Sequence, residues 1–167
     1  MYCILTGEIK LHNMPDEEAL AQLGFSLQRT AIDFGFNICM YANLPYSGLY
    51  NYPLKSLNDG LIPYQITDHP MFDQCHEMFS RLGFREDTYQ ISDLEDTRLP
   101  KLQEFYTEVI KNPDIEYMTL YFETVHGDTD MKPYDMTVKA DEICDALTKA
   151  PNEGHYEFPP VRLKIVR

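Results

Sequence analysis

The sequence predicts a single α/β or α+β domain, with one mainly central sheet of about five strands and about four helices packed on it. Three observations carry that expectation. Strand-like and helix-like stretches interleave along all 167 residues, a pattern that sets helices against a sheet. The composition, 44% apolar and 13% aromatic, is that of a globular protein, since a disordered acidic chain lacks aromatics. The length fits one domain, residues 1–167, which at this size buries roughly 70% of its unfolded surface. No repeat, low-complexity tract or linker divides it.

The elements follow in order. Residues 2–11, YCILTGEIKL, read as a first strand, rich in β-branched and aromatic residues. Asn13 is a candidate helix cap, and Asp16, Glu17 and Glu18 suit a helix N-terminus. Leu20, Leu23, Leu27, Ala31 and Phe34 then recur at helical spacing, giving an amphipathic helix over about 16–34. FNICMYA (36–42) follows as a buried strand or as a continuation of that helix. Residues 43–64 hold three prolines, two glycines and four tyrosines, and read as a long irregular loop of the kind that carries function. A second helix is expected to begin after Thr67 and Asp68 and to stop at Gly83, before a strand TYQIS (88–92). A third helix spans about 98–111, with Leu99, Leu102, Phe105, Tyr106 and Val109 as its apolar face and Asn112-Pro113 as its stop. IEYMTLYFETV (115–125) is the clearest strand. A polar turn, HGDTDMKPYD, leads into a fourth helix at about 137–149, and VRLKIVR (161–167) closes the sheet.

Charge is the most unusual bulk property, at −13. Such a chain repels phosphate backbones and anionic lipid, which argues against a nucleic-acid or membrane partner. The charge is uneven: Asp68 to Asp135 contains 16 acids and 6 bases, a net of −10 of the total −13. No stretch approaches about 18 continuous apolar residues, the length a membrane helix needs. The opening MYCILTGEIKLHN lacks the basic start of a signal peptide. Cys3, Cys39, Cys75 and Cys144 have no paired spacing and read as reduced thiols of a cytoplasmic protein.

Chemical motifs are few. HPMFDQCHEM followed by FSRLGFRED (79–87) resembles the C-terminal motif of the N-acetyltransferase superfamily, in which an aromatic-rich helix ends at a Leu-Gly-Phe step into a strand. That family also holds the pyrophosphate of acetyl-CoA on a glycine-rich loop at a helix N-terminus. The eight glycines here are scattered singly, so Gly83 reads as a left-handed helix terminator with Phe84 packed back on the helix. His69, Asp73, His76 and Glu77 fall along one helix face, yet without the HExxH order they read as a solvated face rather than a metal site. Cys75 and His76 are sequence neighbours and point about 100° apart on a helix. Asp128 and Asp130 begin like a calcium loop, but Met131, Lys132 and Pro133 stand where further oxygen ligands belong. The expectation is therefore a non-enzyme with no catalytic residues, no metal and no cofactor; a small enzyme or degenerate acyltransferase relative is the alternative.

The tyrosines supply the last lead. Five of the 12 lie between Tyr41 and Tyr64, and Tyr combines a rigid apolar ring with a polar tip that suits protein interfaces. A tyrosine-rich loop beside an acidic region suits a basic protein partner. In overall character, small, acidic and α/β, the chain resembles bacterial immunity proteins, including those of contact-dependent growth inhibition systems. The resemblance implies a cognate basic toxin domain, often a nuclease, whose cationic site an acidic inhibitor covers. On that reading Asp93, Glu95, Asp96, Glu123, Asp128 and Asp130 are the steering charges, and Tyr46, Tyr50 and Tyr52 the anchors.

Overall fold

A computed structural model describes residues 3–40, 60–68, 99–124, 134–149 and 161–167. The first strand, β1 (Cys3–Leu11), alternates strictly: Leu5, Gly7, Ile9 and Leu11 are buried, while Thr6, Glu8 and Lys10 are partly open. Helix α1 (Glu17–Asp33) starts at Asp16, whose carboxylate accepts from the Ala19 N–H at 2.8 Å. Asp16 therefore supplies the cap that the sequence reading gave to Asn13, and it does so because a side chain at the N-cap reaches the N–H three residues on. The helix ends with the Gly35 N–H on the Ile32 carbonyl. Gly35 itself has φ 84°, which a residue without Cβ adopts readily.

β2 (Phe36–Met40) settles FNICM as strand. β3 (Leu61–Asp68) corrects the sequence reading at one point: residues 61–64 belong to a strand rather than to the loop of 43–64, and the strand runs on through Thr67 and Asp68. The expected helix up to Gly83 and the strand TYQIS lie outside the described residues. Helix α2 (Leu99–Val109) and strand β4 (Ile115–Thr124) fall where expected. β5 (Tyr134–Lys139) replaces the end of the polar turn and the first residues of the predicted fourth helix. A 3₁₀ turn (Ala140–Glu142) and the short α3 (Ile143–Lys149) follow, then β6 (Val161–Val166).

The described residues thus form one six-stranded sheet in the order β2-β3-β1-β4-β6-β5, with three α-helices, against the expected five strands and four helices. Every neighbouring pair is antiparallel except β5 with β6, so the fold is α+β. From β1 to β4 the spatial order is 4-1-3-2, the split βαβ arrangement of ferredoxin-like units. β5, α3 and β6 extend it on the β4 side. No helix among the described residues is long and apolar enough to cross a membrane.

Register places most of the buried strand residues on one face, Leu61 and Pro63 of β3 being buried on the other. Leu5 pairs with Ile66, Gly7 with Tyr64 and Ile9 with Ile62; Leu120 pairs with Leu163 and Met118 with Ile165. The three helices cover this face through Leu23, Leu27 and Ala31 of α1, Leu102, Phe105 and Tyr106 of α2, and Ile143 and Ala146 of α3, in one continuous core. Phe36 meets Phe105 edge-on at 6.3 Å. At about 1.5–3 kcal/mol for each large apolar side chain buried, this core dominates the stability of the fold.

Two polar devices complete it. Tyr64, counted in the sequence reading among the loop tyrosines, is fully buried. Its ring lies across β1 at Gly7, and its hydroxyl donates to the Thr119 carbonyl on β4 at 2.6 Å. With that proton committed, the 2.6 Å contact between the Tyr64 and Tyr106 hydroxyls has Tyr106 as donor, since a phenol carries one O–H. Arg167 closes the turn between α2 and β4, donating to the carbonyls of Ile110, Asn112 and Ile115.

Candidate functional site

Of the nine residues that the sequence suggested for partner binding, Glu123 alone falls within the described residues. It sits on β4, paired with Ile4 of β1. Tyr46, Tyr50, Tyr52, Asp93, Glu95, Asp96, Asp128 and Asp130 lie outside the described residues, as do His69, Asp73, His76, Glu77 and the FSRLGFRED stretch. Among the described residues no three His, Cys, Asp or Glu side chains gather as a metal site.

The described surface has two unlike sides. On the helical side, α1, α2, the 3₁₀ turn and α3 carry eight carboxylates and three cations. Glu17, Glu18, Asp33, Glu104, Glu108, Asp141, Glu142 and Asp145 are all exposed. Strand periodicity excludes carboxylates from the buried face, and helix periodicity sends them outward, so the charge collects here. Several are ordered locally. Lys101 pairs with Glu104 at 2.9 Å and Lys111 with Glu108 at 2.5 Å, exposed pairs of adjacent helical turns worth a few tenths of a kcal/mol. The Glu142 carboxylate accepts from the Lys139 N–H at 2.9 Å and fixes the start of the 3₁₀ turn.

The other side is the outer face of the sheet, where register lines up Thr6, Tyr121, Arg162 and Asp135 in one row and Glu8, Thr119, Lys164 and Thr137 in the next. Here, among the described side chains, cations outnumber carboxylates: Lys10, Lys139, Arg162 and Lys164 against Glu8 and Asp135. Arg162 holds Asp135 with two parallel bonds, at 2.5 and 2.9 Å. That bonding pulls the Asp135 carboxyl below its ordinary range, against a small opposing effect of burial. Lys164 lies over the Tyr117 ring, its ammonium 4.1 Å from the centroid, a diagonal cross-strand contact. Partial burial, and then the charges of Glu116 and Glu8, push the Tyr117 phenol above its ordinary pKa. Tyr117 therefore stays protonated at neutral pH and offers a hydrogen-bond donor rather than a base.

Cys144, the one cysteine whose side chain is described, is half-buried. Burial first, and the neighbouring Asp145 second, raise its thiol pKa, so it is a poor nucleophile at neutral pH. Its N–H is held by the Gln103 side chain at 2.9 Å, which ties α3 to α2. These side chains provide recognition groups, charge, aromatic surface and fixed donors. The outer-sheet residues escaped the sequence reading because their neighbours across the sheet are far apart in the chain, as Tyr121, Arg162 and Asp135 are.

No protein-family model matches the chain, and neither a curated protein nor a solved structure matches it.

Proposed function

We propose that the chain is a non-enzymatic, acidic binding protein of the cytoplasm, an immunity-type inhibitor that covers a basic toxin domain, of which a nuclease is the best-suited class. The observation that supports this most is the charge asymmetry: eight carboxylates and three cations on the helical elements, against an outer sheet face where cations outnumber carboxylates among the described side chains. A field of that shape orients a cationic partner toward the helices before contact and speeds productive encounter. Affinity then rests on desolvated contacts, where aromatic side chains serve best. A nuclease site is built to attract phosphate, so an array of carboxylates competes for the same cations.

The test is kinetic. Stopped-flow association of the protein with a basic nuclease domain should slow about tenfold or more as salt rises from 0.01 to 0.15 M, because the Debye length falls from about 30 Å to about 8 Å. Replacing Glu17, Glu18, Asp33 and Asp141 by their amides should lower the association rate and flatten that dependence. An association rate insensitive to salt in both proteins refutes the electrostatic inhibitor.

A further inference from the structure

Helix α1 carries two apolar stripes, and the core uses one of them. Leu23, Leu27 and Ala31 face the core. A second stripe, about 140–160° away on the wheel, leaves Phe25 74% exposed and Ile32 42% exposed. Isolated exposed apolar residues are unremarkable, but a patch of them beside a groove marks an interaction site. Such a groove is present. It has a volume of about 250 Å³ and, among the described residues, is lined by Ala21, Gly24, Phe25, Gln28, Ile38 and Met40, between α1 and the edge strand β2. The space suits one or two large side chains, short of the roughly 300–1,000 Å³ typical of a ligand pocket.

Gly24 is the second observation. It stands in the middle of a 17-residue helix, where glycine is among the poorest helix formers. Neither of the usual reasons for a glycine applies. It has no positive φ, and among the described residues a Cβ built on it would meet the Met40 sulfur at 3.7 Å and the Met40 methyl at 4.0 Å, ordinary van der Waals distances. An alanine therefore fits, and would both stabilise the helix and close part of the groove. The sequence keeps the floor open at the expense of the helix.

The surroundings of the groove indicate what enters it. Stepping 100° per residue, Glu17 and Glu18 fall on the same side of α1 as Gly24, Phe25 and Gln28, and both are exposed. Arg29, the only cation of the helix, is turned about 40° beyond Phe25 on the wheel. We propose that the groove between α1 and β2 is a docking site for a large apolar side chain on a basic, amphipathic segment of a partner protein, its cations meeting Glu17 and Glu18. This deepens the inhibitor reading and rests on it for the basic character of the partner.

The probe is a short, labelled amphipathic peptide of leucine and lysine, titrated against the protein by fluorescence anisotropy. Two controls replace all lysines by glutamate or all leucines by serine. The leucine–lysine peptide should bind and both controls should fail, with amide shifts in the bound protein confined to α1 and β2. Gly24→Ala should raise the urea midpoint of unfolding yet weaken the peptide about tenfold, equivalent to 1.4 kcal/mol. Phe25→Ser should weaken it similarly. Opposite effects on stability and binding from one methyl group are what a merely structural role would not produce. Equal binding of the glutamate peptide, absence of binding, or Gly24→Ala binding unchanged overturns the proposal. Concentration-dependent self-association, lost in Phe25→Ser, would assign the groove to a second copy and likewise overturn it. With the basic nuclease domain, salt-dependent association that survives in Gly24→Ala removes the groove and leaves the inhibitor standing. Salt-independent association in the wild type instead removes the inhibitor.

Discussion

Gly7→Ala offers the most severe test of the fold described above. Gly7 lies on β1, bonded into the sheet on both sides, opposite Tyr64 of β3 and Leu120 of β4. A Cβ there would stand 1.9 Å from the Thr119 carbonyl oxygen and 2.4 Å from both Cζ and Oη of Tyr64. Real Cβ contacts essentially never fall under 3.0 Å, so the overlap exceeds an ångström on the carbonyl. Relief takes two movements: β1 and β4 separate at Thr119 and give up ladder bonds, and Tyr64 swings out, giving up its 2.6 Å bonds to Thr119 and Tyr106. Overpacking alone costs about 1–3 kcal/mol, and each buried polar group that loses its partner adds about 1–3 kcal/mol. With one group left unpartnered these give about 2–6 kcal/mol, against a total stability of about 5–15 kcal/mol for a domain. In urea, at an m-value of about 2 kcal/mol/M, the midpoint should fall by about 1–3 M. Tyr64→Phe, which removes the hydroxyl and keeps the ring, should lose about 1–3 kcal/mol. A Gly7→Ala protein within 1 kcal/mol of wild type would refute the packing of Tyr64 across β1.

Two further outcomes follow from other parts of the structure. Arg167→Ala removes three bonds to the carbonyls of Ile110, Asn112 and Ile115 and should destabilise the protein by about 1–3 kcal/mol, with faster amide exchange at the α2–β4 turn; unchanged exchange there would contradict the clamp. The Tyr117 phenol is raised first by burial, so its stabilising contribution is complete below the unfolded pKa of about 10 and is lost as pH climbs through the higher folded value. Glu8→Gln should lower that folded value while leaving it above the unfolded one, which tyrosine-selective NMR titration measures directly; a Tyr117 titrating as an ordinary phenol in the wild type would sink the assignment.

The sequence was legible where one periodicity ruled without interference. α1 and α2 show uninterrupted apolar stripes, and β4 and β6 combine alternation with β-branched and aromatic residues, so all four appear within a residue or two of expectation. β3 was missed for a physical reason. Pro63, which cannot donate to a ladder, lies in a strand with neighbours on both sides, where proline ordinarily argues against a strand. Nearby Gly60 strengthened the impression of a loop, and it does take a left-handed φ of 67° just before the strand. β5 was missed because Met136, Val138, Ala140 and Ile143 satisfy a period of two and of 3.6 equally well over so short a span; the break comes at Lys139. The surface was less legible. Phe25 and Ile32 recur at helical spacing, yet a second apolar stripe is visible as a surface only once the first is known to face the core. Cross-strand neighbours such as Tyr117 and Lys164 are 47 positions apart in the sequence, and nothing local announces their meeting.

The place of β1 at the centre of the sheet has a consequence in time. Its Glu8 N–H is bonded to the Thr119 hydroxyl, 111 positions along the chain, and one whole edge of the strand waits for β4. At a synthesis rate of about 5–20 residues per second, β1 is out for roughly 6–20 seconds before that partner is made. During this interval an apolar strand carrying Leu5, Ile9 and Leu11 has an open edge, the arrangement most prone to pairing with a neighbouring chain. Pairings of such long separation also fold slowly. The yield of native protein should therefore depend on translation speed and on chaperone occupancy early in synthesis more than on the stability of the finished sheet.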